Sequence, residues 1–313
     1  ILLMARRGKD RFLIEAAFSP ATLRRYKEAV SAFFSWCSVR NLRRVSAREL
    51  DQYLNEYFHY LFRLGRSKGD AVCTYYGLFL FDPSLKGRLP LSGLALKGWD
   101  KLVPSRSHPP MTWELALVVA VRMACVGQFA AAVATLLAFD CLLRVGELTK
   151  IRRSDIADSG DARMGAEYKG IAIRLRRTKT GLNQFVEVKN PVVAYLLRYL
   201  LRLHDRDLIF GFSSLTFRQV FKSTCVSLGF PDHYVPHSLR HGGATRLHLL
   251  GMPLEDILLR GRWSSSASAR RYIQSGRALL LTTRVPMRVQ ALAHRLSKWP
   301  LLSILLADFI ASQ

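Results

Sequence analysis

Apolar residues recur at helical spacing along most of the chain. Leu23, Tyr26, Ala29, Val30, Phe33, Phe34 and Cys37 form one stripe, the period that buries one face of a helix. Ser19-Pro20 stands just ahead of it, an N-cap serine with proline at the first helical position. Arg24, Arg25 and Lys27 fall off the stripe and are expected to face outward. Leu50, Tyr53, Leu54, Tyr57, Phe58, Leu61 and Phe62 continue the pattern to Gly65, behind a capping-box spacing at Ser46-Ala-Arg-Glu49. A third helix is predicted over 70–81, closed by Asp82-Pro83. Three or four helices with short loops make a small bundle, and its aromatic stripe reads as core rather than as a platform for stacked bases.

Pro104-Ser-Arg-Ser-His-Pro109-Pro110 has no apolar period and reads as a linker. It divides a helical domain, 1–103, from a second domain over 111–280, followed by a tail over 281–313. In the second domain Thr112 caps a helix, and 129–139 is almost continuously apolar, the signature of a buried helix. Gly170-Ile-Ala-Ile-Arg-Leu-Arg alternates with period two, as does Phe185-Val-Glu-Val. These two predicted strands flank a turn, Arg177-Thr-Lys179-Thr-Gly181. Helices follow over 191–204 and 216–228. Pro236 sets up another helix start, where free N–H groups favour an anion. The predicted fold is mainly α with a small antiparallel β-sheet, in two domains.

Charge changes the picture more than composition does. Half the residues are hydrophobic, which supplies a core and argues against wholesale disorder. Lys and Arg number 47 against 23 Asp and Glu, a formal +24 and a pI near 10.5. The excess is +10 over 1–110 and +14 over 111–313, so both halves are basic. A globular chain charged this way points to a polyanion partner. Five scattered cysteines read as reduced core residues of an intracellular protein, not as a disulfide framework. No cysteine pair has metal-ligand spacing, and Pro236 interrupts the His233, His237, His241 series. The apolar run over 301–310 is too short to span a bilayer.

The candidate chemistry is concentrated between 141 and 272. Arg144 follows the buried helix, and Glu147, three residues on, can orient its guanidinium; an ordinary surface ion pair is the alternative. His237 and Arg240 share a helix face. Trp263 follows on a Ser-rich segment, and Tyr272 lies nine residues beyond it. A phosphodiester under attack requires guanidinium forks on its oxygens, a proton carrier and a nucleophile. Lys179 at the turn is either solvated surface or a general acid.

Leu-Leu-Arg144-Val-Gly-Glu147-Leu, the hairpin Lys179, His237-Ser-Leu-Arg240-His, Gly-Arg-Trp263-Ser-Ser and Tyr272 together resemble the tyrosine recombinases of the phage-integrase type, a family with mobile-element and eukaryotic members. The likeness spans about 18–275 and is sharpest in 136–156 and 234–273. Many members carry glycine where Leu142 stands, others leucine, and the position usually held by a second histidine is Trp263, as in some members.

The resemblance implies a two-domain DNA clamp and a site-specific DNA recombinase or integrase. Tyr272 would attack phosphorus and form a 3′-phosphotyrosyl link, with Arg144 and Arg240 on the non-bridging oxygens. Lys179 would protonate the leaving 5′ oxygen, His237 would carry the tyrosine proton, and Trp263 would donate to a phosphate oxygen. Neither metal, cofactor nor ATP enters that scheme. The implied partner is double-stranded DNA, bound by a homo-tetramer on paired sites, with no membrane and no small-molecule substrate. The implied location is wherever DNA is kept, nucleus or nucleoid. Leu301, Leu302, Leu305, Leu306 and Phe309 would give the tail an apolar face that docks on a neighbour or packs in cis. A type IB topoisomerase, a decayed DNA-binding relic and a basic RNA-binding protein are the competing readings.

Overall fold

A computed structural model describes residues 12–43, 46–104, 108–159, 170–178, 181–231 and 234–298. The chain divides into two compact units, Ile1–Arg106 and Ser107–Gln313.

The first unit holds α1 (Phe12–Ala16), α2 (Pro20–Val39), α3 (Ala47–Arg63), α4 (Lys68–Phe81) and α5 (Pro90–Leu102). Both expected caps form. Ser19 Oγ accepts from the Thr22 amide at 3.2 Å. Ser46 Oγ accepts from the Glu49 amide at 3.2 Å and donates to Glu49 Oε2 at 2.9 Å. The stripes meet in a core of Val30, Phe33, Leu50, Leu54, Phe58 and Leu78. Phe33 and Trp36 pack on Tyr57, with ring centroids 5.2 and 5.3 Å apart, so these aromatics are interior. Helix α5 has no side-chain cap from its own N-cap residue, Leu89. The buried Asp51 carboxylate of α3 accepts from the amides of Leu91 and Ser92, each at 2.9 Å, and so caps α5 from another helix. A cap contributed across 40 residues leaves no local signal.

The second unit is built on α6 (Trp113–Cys125) and α7 (Phe129–Asp140). Every residue of α7 from Ala131 to Phe139 is buried. A short helix, α8 (Val145–Leu148), follows, and then the strands β1 (Ile156–Asp158), β2 (Ile171–Arg177) and β3 (Leu182–Val188). They form an antiparallel sheet in the order β1-β2-β3, with Ile173 opposite Ile156 on one side and Val186 on the other. At three residues, β1 is too short to show a period. Ile171, Ile173 and Leu175 enter the core while Arg174 lies on the opposite face. Thr178 donates to the Gly181 carbonyl at 2.9 Å across the hairpin turn. Lys179, between them, lies outside the described residues.

The remaining helices are α9 (Pro191–Leu203), α10 (Ser214–Ser227), α11 (His237–Leu249), α12 (Leu254–Gly261), α13 (Ser266–Arg270), α14 (Ser275–Thr282) and α15 (Met287–Lys298). Helix α15 lies against α6 of its own chain, with Val289 and Ala293 in the core. The expected apolar face from Leu301 to Phe309 falls outside the described residues. All five cysteines are free; four are buried, but Cys125, at the end of α6, is exposed. Among the described residues, no helix is long and apolar enough to cross a membrane.

Candidate active site

The site begins where the buried α7 runs out. Leu142 adopts φ +50°, a left-handed conformation that a residue with a side chain enters at a cost of about 1–3 kcal/mol. Its side chain is fully buried with Ala244 and Ile257, against Trp263 and Tyr272. The strained turn directs the Leu142 carbonyl to two guanidinium groups: Arg240 Nη1 donates to it, and so does Arg262 Nη2, at 2.9 Å. Two residues on, Arg144 opens α8. Glu147 Oε2 accepts from the Arg144 amide at 2.9 Å, and its Oε1 from Arg144 Nη1 at 2.6 Å. The Glu147 side chain is 4% exposed against 23% for Arg144, so this pair is not a surface ion pair. Burial raises the Glu147 carboxyl, but Arg262 and the hydrogen bonds from Arg144 outweigh it and hold the group below its ordinary value.

Helix α11 contributes the other half. A Cβ on Gly242 would lie 1.7 Å from the Met111 carbonyl oxygen, so only glycine lets α11 approach the start of the unit this closely. Met111 donates its amide to the Ser238 carbonyl at 3.0 Å in the same contact. Arg240 is 0% exposed. Its Nη1 and Nη2 donate to the carbonyls of Leu142 and Gly261, and its buried Nε has no partner among the described residues. Its guanidinium carbon lies 4.5 Å from the centroid of Trp263 and 5.5 Å from that of Tyr272. A Cβ on Gly261 would meet the Trp263 ring at 1.8 Å; its absence lets the indole fold back over α12. Trp263 Nε1 is buried without a partner among the described residues.

Tyr272 is held from three sides. Its hydroxyl is 3.1 Å from His237 Nε2, its ring stacks on His241 at 4.3 Å and 26°, and Trp263 lies 4.8 Å away. Thr245 Oγ1 donates to the Tyr272 carbonyl at 3.1 Å and accepts from the Gln274 amide at 3.1 Å. Burial, then the positive charge of Arg240, lowers His237 to about 4. Burial and the neighbouring His237 lower His241 to about 3. At neutral pH both imidazoles are therefore uncharged, and His237 can accept a phenolic proton.

Arg144, Glu147, His237, Arg240, Trp263 and Tyr272 thus converge through α8, α11 and the segment after α12. Lys179 lies outside the described residues. Two contributors, Arg262 and Thr245, are not singled out by the sequence, and His241 enters there only as part of a possible metal-ligating series. Arg262 sits inside the Gly-Arg-Trp motif already noted, and the alternation of motif and helix gave no sign of its direction. Its left-handed φ of +55° turns it inward, where it is 7% exposed. Beside this centre, Lys150, Arg152, Arg174, Arg176 and Arg177 line a groove of about 370 Å³ that reaches Glu147. The buried Asp155 anchors two of them, Arg174 at 2.9 Å and Arg176 at 2.7 Å, and Asp207 pairs with Arg152 at 2.7 Å, so the groove keeps a net positive lining.

Comparison with known proteins gives a consistent result. The solved lambda integrase dimer bound to a COC′ core site matches with a TM-score of 0.59 at 16% identity, over 85% of this chain and 75% of that one. A lambda integrase tetramer bound to a Holliday junction matches at 0.56 and 16% identity, over 88% and 75%. The Tn1549 transposon integrase with circular intermediate DNA matches at 0.54 and 14% identity, over 74% and 84%. These likenesses establish a shared fold. No curated protein sequence matches. A sequence profile of the phage integrase family matches residues 121–278, just over half of the chain and the whole of the constellation from Arg144 to Tyr272. This chain belongs to the phage integrase family.

Proposed function

We propose that the chain is a site-specific DNA recombinase that cuts and rejoins DNA through a covalent 3′-phosphotyrosyl intermediate. The observation that carries the reading is the Tyr272 hydroxyl 3.1 Å from His237 Nε2, with the Arg240 guanidinium over the same ring. A phenol ionises near ~10 in water, so a base must take its proton as it attacks. The neutral His237 is that base. The Tyr272 oxygen bonds to phosphorus, the phosphorus–O5′ bond breaks, and the phenolic proton passes to His237. Lys179 protonates the departing 5′ oxygen. Arg144, partly exposed and braced by Glu147, and Arg240 stabilise the charge that builds on the non-bridging oxygens. The buried Trp263 Nε1 is a further donor to phosphate. Since the phosphotyrosyl bond conserves the energy of the phosphodiester, the reverse attack by a 5′ hydroxyl rejoins the strand without ATP.

Double-stranded DNA is the proposed substrate, gripped through its phosphates by the basic groove along β2 and by the helical domain over 1–103. The linker over 104–110 joins that domain to the catalytic domain over 111–280, and the tail over 281–313 is the proposed element of a tetramer on paired sites. The test is a pool of nicked suicide duplexes with a randomised core, incubated with the protein and resolved under denaturing conditions. We expect a covalent protein–DNA adduct that is lost in Tyr272→Phe. No adduct, or one that survives in Tyr272→Phe, would overturn the reading.

A further inference from the structure

Arg262 has no part in the proposed chemistry, yet it is bonded to more of the site's framework than any catalytic candidate. The terminal nitrogens of its guanidinium reach four acceptors. Nη2 donates to Glu147 Oε2 at 3.0 Å and to the Leu142 carbonyl at 2.9 Å. Nη1 donates to the Arg260 carbonyl at 2.9 Å and the Cys141 carbonyl at 3.3 Å. These acceptors belong to the turn that delivers Arg144, to α8 and to the end of α12. The side chain is 3% exposed, and both terminal nitrogens are committed to these protein acceptors. Residues with φ near +55° are usually glycine, and arginine is retained here at a conformational cost.

The geometry of Glu147 gives that retention a purpose. Its carboxylate faces two guanidinium groups, Arg144 and Arg262, and Oε2 is divided between the Arg144 amide and Arg262. A buried carboxylate with a single cationic neighbour would hold that neighbour tightly. Sharing the charge with Arg262 frees part of the attraction on Arg144, which must turn toward phosphate to act. The Leu142 carbonyl is likewise divided between Arg262 and Arg240. A planar fork with several fixed donors is required to reach all these acceptors; an ammonium group reaches fewer.

Resting on the recombinase reading above, we propose that Arg262 is a positioning residue: by holding Glu147 and the Leu142 carbonyl together, it sets the register of Arg144 and Arg240 around the scissile phosphate. It acts through Glu147 and makes no contact with DNA.

The test measures the single-turnover rate of adduct formation at saturating suicide-duplex pool, alongside the DNA-binding constant. Arg262→Lys keeps the charge and loses the fork. Arg262→Gly suits the left-handed backbone and leaves a guanidinium-sized cavity, so it stays measurable if the lysine variant folds poorly. We expect both to slow adduct formation by 10-fold or more with binding within about twofold of wild type. Millimolar guanidinium should restore part of the Arg262→Gly rate, a rescue that a fold defect does not allow. Placed on Glu147→Gln, Arg262→Lys should cost little more, because both changes remove the same brace. A wild-type rate in both Arg262 variants, or losses that multiply fully with Glu147→Gln, overturns the brace alone. A wild-type chain that forms no adduct overturns the recombinase reading and this proposal with it.

Discussion

At the scale of single residues, the site is organised by carbonyls and one carboxylate that hold the guanidinium groups apart and oriented. Arg144→Ala and Arg240→Ala should each slow adduct formation by about 10²–10³-fold, the effect of losing one donor to a developing oxyanion, roughly 2.7–4 kcal/mol. The two should differ in stability. Arg240 is fully buried and ties α11 to the Leu142 and Gly261 carbonyls, so Arg240→Ala should also lower the melting temperature clearly. Arg144→Ala, at a partly exposed side chain, should lower it less. The pH dependence follows from His237. In the unfolded chain it protonates near its ordinary 6.5, and in the folded chain only at about 4. Between those values the unfolded state binds more protons, so stability falls as pH drops from about 6.5 to about 4 and is unaffected above. Single-turnover cleavage should accordingly show no loss centred on pH 6.5; an inflection there would mean that His237 titrates like an ordinary surface histidine.

At the scale of elements, most helices were legible because each carries its own apolar stripe and cap. Ser19, Ser46 and Thr112 cap the helices that their spacing announces. What escaped was decided by another part of the chain. The α5 start is capped by Asp51 from α3, and β1 is a strand because β2 lies beside it. Helix α11 shows the same dependence in its side chains. His237-Ser-Leu-Arg240 is readable as a polar helical face, but the reason for glycine at 242 is the Met111 carbonyl that comes within reach of any added carbon. Gly242→Ala should therefore destabilise the second unit by about 1–3 kcal/mol or more, through overpacking in a helix that alanine otherwise favours. Thermal unfolding checks this, since propensity alone gives the opposite sign.

At the scale of the whole molecule, the +24 charge and its presence in both halves already pointed to a polyanion. The structure gathers part of that charge into one groove beside the Arg144–Glu147 pair. If this groove tracks a DNA backbone, Lys150→Ala and Arg177→Ala should each reduce the slope of log affinity against log salt by about 0.9, with little change in melting temperature. Titrations at several salt concentrations measure it, and unchanged slopes would place the DNA elsewhere.

The sequence alone determined the helical stripes, the hairpin and six side chains whose order and spacing resemble one family, because local period and short motifs are carried by neighbours in the chain. Only the tertiary structure decided that Arg262 turns inward on a left-handed backbone and that His241 and Thr245 hold Tyr272 against His237. Those facts arise where α7, α11 and α12 meet. Leu142 and Gly261 are separated by more than a hundred residues, yet Arg240 bonds both. Contacts of that range depend on packing, and no spacing along the chain encodes them.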